Sequence, residues 1–130
     1  MMRSISLAVL VAGAVLACSP PSSAVPRDMR NPNVITRADI EKSNVFNVYD
    51  AVSQLRPAFL NFRGSTTISG SDTGYPRVYL NHQFYGDLQS LRALDVHGVS
   101  EIHYYNGTEA STRFGLGNVS GVIEVITDAN

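Results

Sequence analysis

The spacing of apolar positions changes several times along this chain, and each change marks an element. Ile5 to Ala17 is an apolar run interrupted only by Ser6 and Gly13. From Cys18 to Asn33 the apolar pattern stops: S-P-P-S-S-A-V-P and R-D-M-R-N-P-N carry four prolines and few large apolar groups. Such a stretch cannot hold a helix or strand and reads as a tether. A helical spacing begins where Thr36 stands three residues before Asp39, the signature of a capped N-terminus. It predicts a short helix over 37–42, broken by Ser43 and Asn44. Asn47 and Asp50 open a second helix in which Val48, Val52 and Leu55 recur on one face, and Pro57 stops it by pushing the preceding residue out of the helical region.

The spacing then shortens to two. Phe59 to Arg63 alternates and predicts a strand. Gly64 to Gly74 is polar and turn-rich, with Ile68 its one large apolar residue, which predicts a surface loop. Val78 and Leu80 alternate against Arg77, Tyr79 and Asn81 as a half-buried strand. Asn81-His82 fits a two-residue turn into Gln83-Phe84-Tyr85, because both residues tolerate a positive φ. Asp87 caps a short helix carrying Leu88, Leu91 and Leu94 at spacings of three. Ile102 and Tyr104 should then share one strand face, with Glu101, His103 and Tyr105 on the other. Val122 to Thr127 is a buried strand interrupted by Glu124. The connector between them is helical from about Glu109 to Phe114, with Gly115 as its stop. Its length predicts a right-handed crossover joining 101–105 and 122–127 as parallel neighbours. The sum is an α+β fold: one domain over 34–128, a small mixed β-sheet with short helices.

Charge and cysteine usage change the picture at the N-terminus. Met1, Met2 and Arg3 precede an apolar run too short to span a bilayer, which needs roughly 20 residues, so residues 1–17 read as a signal peptide. The only cysteine follows directly, in Val15-Leu16-Ala17-Cys18. This resembles the lipobox of bacterial lipoproteins, with Leu16 bulkier than usual, and implies an acylated Cys18 and a membrane partner reached through a lipid anchor. The alternative is cleavage after Ser22-Ser23-Ala24, which discards Cys18. Ser19 is not the aspartate that retains enterobacterial lipoproteins at the inner membrane. The expected location is therefore the outer membrane, facing the periplasm. Without Arg3 the chain carries nine basic against eleven acidic residues. Such a balance gives no electrostatic footprint for nucleic acid.

Several segments in order carry a wider resemblance. Val78-Tyr79-Leu80-Asn81-His82, then Val99-Ser100-Glu101-Ile102, Tyr105-Asn106-Gly107, Ala110, Phe114-Gly115 and Gly121-Val122-Ile123-Glu124-Val125-Ile126-Thr127 resemble the plug domain of TonB-dependent outer-membrane receptors. The match runs over about 34–128, its first half carried by I-T-R-A-D-I-E-K-S, the helix 48–56 and Arg63-Gly64. Asn81-His82 replaces the family's Asp-Gly, and Asn106-Gly107-Thr108 its Lys-Gly-Pro. A receptor of that family continues into a barrel whose strands take about 9 to 11 residues each, for which 130 residues leave no room. The resemblance therefore implies a plug-like fold on a lipid anchor, with an outer-membrane barrel or another envelope protein as partner, and no transport by this chain alone.

Candidate chemistry is sparse. His82, His97 and His103 lie 15 and 6 residues apart, a spacing with no metal-ligand pattern, and neither a metal nor another cofactor is expected. No serine sits in a Gly-x-Ser-x-Gly setting. Glu101 and His103 share a strand face, the one arrangement that a small hydrolase could use. Gly115, Gly117 and Gly121 precede a strand instead of opening a helix, unlike a dinucleotide loop. With Gly107 they read as structural turns. Arg63, Tyr75, Arg77 and Tyr79, flanking the 64–75 loop, form the candidate binding surface, since tyrosine combines apolar area with a polar tip. The expected function is a non-enzymatic interaction module, or a small-ligand-binding accessory to nutrient uptake taking a metal chelate, glycan or vitamin.

Overall fold

A computed structural model of the protein describes residues 31–64 and 73–128. The apolar leader, Cys18, nearly all of the tether and most of the 64–74 loop lie outside the described residues. The fold is α+β, built on one five-stranded mixed sheet in the order β1-β4-β5-β2-β3. Its strands are β1 (Val34–Thr36), β2 (Arg77–Leu80), β3 (Gln83–Gly86), β4 (Val99–Tyr105) and β5 (Val122–Thr127). Helices α1 (Arg37–Ser43) and α2 (Val48–Leu55), with 3-10 turns at Pro57–Leu60, Leu88–Ala93 and Val96–Gly98, complete the first part of the chain. Helix α3 (Gly107–Phe114) joins β4 to β5.

Local chemistry explains most of these limits. The Asp39 carboxylate accepts from the Thr36 hydroxyl at 2.9 Å and from its N–H at 3.4 Å, and Asn44 closes α1 in the left-handed region. Asn47 caps α2 by accepting from the Asp50 N–H at 2.9 Å. The Asn81-His82 turn has φ of 47° and 70°, the two positive values that a two-residue hairpin with matched strand twist requires. Asn106 accepts from the N–H groups of Thr108 and Glu109, so α3 starts at Gly107, earlier than the sequence pattern suggests.

The main core lies on one face of the sheet. Ile102 and Tyr104 of β4, Ile123 and Val125 of β5, Val78 of β2 and Ile35 of β1 meet Ile40, Val48, Val52, Phe59, Leu91 and Val96. Phe59 stacks on Tyr104 with centroids 4.8 Å apart, an arrangement worth about 0.5–1.5 kcal/mol beyond its buried area. A smaller cluster on the opposite face joins Tyr79 and Val122 to Ala110 of α3, with Tyr105 and Phe114 against it.

Two expectations are corrected. Phe59 to Arg63 is not a strand: Pro57–Leu60 forms a 3-10 turn with its proline in the first positions. The fixed φ of Pro57 suits a helical turn, and burying Phe59 against Tyr104 satisfies the apolar pattern without any strand partner. Strands β4 and β5 are antiparallel, with Tyr105 opposite Val122 and Val99 opposite Thr127, so no parallel crossover joins them. The connector leaves the sheet at Tyr105 and returns at the same end, spending its length on α3 over the sheet face. The parallel neighbour of β5 is instead β2. The short helix expected after Asp87 is present as a 3-10 helix, and the leucine spacing of three is its repeat. Strand β1, three residues long, carried no periodicity of its own and was not expected.

Candidate functional site

The second sheet face holds the unusual chemistry, because α3 covers only part of it. Glu124 stands in the middle of β5, between Val122 and Ile126 on this face, and is fully buried. A carboxylate out of water costs several kcal/mol unless it is paired and hydrogen-bonded. Three groups meet that need. Glu124 Oε1 accepts from the His82 backbone N–H at 3.1 Å and contacts the His82 Nδ1, while Oε2 accepts from the Tyr105 hydroxyl at 3.1 Å. The hairpin turn is what delivers His82, since its left-handed backbone aims the N–H across β2 at β5. Asn81 adds to the attachment: its side chain donates to Thr127 Oγ1 at 2.8 Å and accepts from the Thr127 N–H at 3.0 Å.

Tyr105 is half-buried. Its ring stacks beside His103 at 6.1 Å, meets Phe114 edge-on at 5.5 Å and lies under the Arg113 guanidinium at 4.9 Å. Burial pushes its hydroxyl above the ordinary tyrosine range, and the charge of Glu124 and the hydrogen bond to it act in the same direction. His103 Nε2 lies 2.7 Å from Glu101 Oε2. This face pair therefore does meet, and His103 lines an open groove of about 540 Å3 between β1 and α3, with Asn33, Tyr105, Thr108, Glu109 and Arg113 among its walls. The volume falls in the range of small-molecule sites.

The three histidines stay apart, each against its own carboxylate: His82 on Glu124, His97 on Asp95 and His103 on Glu101. Among the described residues no three His, Cys, Asp or Glu side chains converge as metal ligands. At Asp95 the His97 N–H, followed by the His97 side chain, holds the carboxyl below its ordinary range.

The four residues of the candidate binding surface divide between the two faces. Arg63 lies over Tyr104 on the helical face at 5.2 Å, and Tyr75 packs edge-on against Phe62 at 5.2 Å. Arg77 covers Phe84 on the other face at 5.9 Å. Tyr79 is buried there between Phe84 and Phe114, its hydroxyl 3.4 Å from Asn118 Oδ1. Of the turn glycines, Gly115, Gly117 and Gly121 have φ near +100°. Gly107 sits instead where a Cβ would lie 2.0 Å from the Val119 carbonyl oxygen. Sequence reasoning passed over Glu124, whose signal was a single acid inside an otherwise apolar strand. It also passed over Phe84, a large apolar residue exposed on the edge strand β3.

No family model, curated protein or solved structure matches the chain.

Proposed function

We propose that the protein is a non-enzymatic interaction module of the bacterial cell envelope, a plug-like domain held at the outer membrane through acylated Cys18. Support for the plug-like reading comes from order: the segments that resemble the family fall in sequence on β2 and its turn, β4, the cap and stop of α3, and β5. The observation that carries the interaction role is β3. It is an edge strand, and it exposes Phe84 at 60% and Tyr85 at 41% with no charged residue or proline to guard it. Charged residues and prolines commonly guard such edges, and a strand without them suits addition of a partner strand across its four residues, beside the Arg77 guanidinium that lies over Phe84. The Glu101–His103 and Glu124–His82 pairs are read as sheet-face chemistry, each carboxylate being engaged by its neighbours.

Cross-linking in membranes, followed by capture of the chain, tests the role. The native protein should retain an envelope partner that a Phe84→Ala, Tyr85→Ala double variant loses. Equal recovery by both, with the variant as stable as the native chain, contradicts the assignment of β3. Mass analysis of the membrane-extracted chain should find an acylated N-terminal cysteine, and a Cys18→Ser variant should leave the membrane fraction when it is washed at high salt.

The groove between β1 and α3 favours a second reading, a small-ligand-binding accessory to nutrient uptake. Screening metal chelates, glycans and vitamins by thermal shift should then find one class that stabilises the native protein and fails with Arg113→Ala. A screen without any shift removes this reading.

A further inference from the structure

We infer that one end of the sheet is a docking face for an anionic lipid surface. This end is defined by the register: β2 and β5 start there at Arg77 and Val122, β4 finishes there at Tyr105, and the Tyr104 N–H donates to Asn33 just before β1. The described chain therefore begins, at Asn31, at this end. Twelve residues separate Cys18 from Asn31, a span of at most about 45 Å when fully extended. A domain tethered at Cys18 stays within that distance of the bilayer, and the end nearest the tether meets it first.

The same end carries apolar side chains that the fold leaves in water. Leu116 is 95% exposed in the loop that leaves α3 and re-enters the sheet at Val122, beside Gly117 at the Arg77 guanidinium, and Phe62 is 58% exposed beside Gly74 and Tyr75. Val119, also exposed, lies against Gly107 through its carbonyl. Exposed leucine and phenylalanine suit the headgroup boundary of a bilayer, where apolar burial and basic charge act together.

The charge distribution has the matching polarity. Arg56, whose Nε donates to the Pro32 carbonyl, Arg63, Arg77 and Arg113 all stand at the tether end. Among the described residues, the carboxylates of Asp87 and Glu109 at this end serve as helix caps. At the opposite end, Asp39 caps α1, Asp95 bridges to Asn47 beside Asp50, and Asp128 pairs with Arg37. An anionic surface attracts the basic residues of the first end and repels the acidic ones of the second. The domain therefore settles with its tether end down, leaving the acidic end and the exposed edge β3 open to the periplasm.

This inference rests on the reading of the chain as membrane-tethered, and its test is independent of acylation. In the full chain carrying Cys18→Ser, an environment-sensitive fluorophore is attached to Leu116→Cys or, separately, to His97→Cys at the acidic end. Vesicles of phosphatidylcholine alone, or with phosphatidylglycerol, contain brominated acyl chains as quencher. The probe at position 116 should be quenched at least threefold more than the probe at 97 on the anionic vesicles. That difference should fall by half or more when salt is raised from 0.1 to 0.5 M, because the screening length shortens. Equal quenching at the two positions, equal quenching in the two lipids, or no quenching at either position overturns the inference. A chain that lacks lipid on Cys18 in cells but passes this test leaves the docking face standing and removes only the acylation.

Discussion

Tyr105→Phe isolates the contribution of the buried carboxylate. The substitution keeps the ring that touches His103, Phe114 and Arg113 and removes only the hydroxyl. That hydroxyl is 3.1 Å from Glu124 Oε2, while Oε1 is held by His82. Losing one donor to a buried charged acceptor costs about 1–3 kcal/mol. The complete burial of Glu124 places the effect toward the upper part of that range, at about 2 kcal/mol. For a domain of this size that corresponds to a fall in Tm of roughly 8–16 °C. Urea unfolding followed by circular dichroism should show a lower midpoint with an unchanged slope. Glu124→Gln, being neutral, needs the lost donor less. The double variant should then cost less than the sum of the two single ones by about 1 kcal/mol. A Tyr105→Phe protein within 0.5 kcal/mol of native (about the size of ordinary surface substitutions), or strictly additive costs, would refute the claim that this hydroxyl supports the buried charge.

Other consequences concern the tyrosines and the turns. Burial, the largest cause, raises the Tyr104 and Tyr105 hydroxyls above 10.0, so the stability that depends on their neutral forms is complete below that pH and is lost as pH rises beyond it. Spectrophotometric titration should show both ionising late. Arg63→Ala should move Tyr104 higher still, because the Arg63 charge opposes the shift, whereas Glu124→Gln should lower Tyr105 without returning it to 10.0. Gly107→Ala and Gly121→Ala should each cost about 2–3 kcal/mol in urea unfolding, since a Cβ meets backbone oxygen at 2.0 and 2.8 Å. Gly115→Ala, in open space at φ +90°, should cost about 1 kcal/mol, the strain of its backbone alone. Asn81→Ala should cost about 2 kcal/mol by the same assay, removing both side-chain bonds to Thr127 and placing alanine at a positive φ.

What the sequence determined by itself is what nearest neighbours decide. The caps at Thr36, Asn47 and Asp87, the stop at Pro57, the Asn81-His82 turn and the two faces of β4 all depend on contacts within a few residues, and all were legible. The α+β class followed from them. The tertiary structure alone decided the direction in which β4 and β5 pair, because a connector of given length can return to either end of a strand, and only the packing of α3 selects one. It also decided that Phe59 enters a 3-10 turn, since its ring found Tyr104 some forty-five residues away. The candidate site belongs to the second class. Glu124 could be read as an interruption of a strand, but its partners come from a hairpin turn and a neighbouring strand. A buried charge is explained by what surrounds it in space, and the order of residues along the chain does not contain that information.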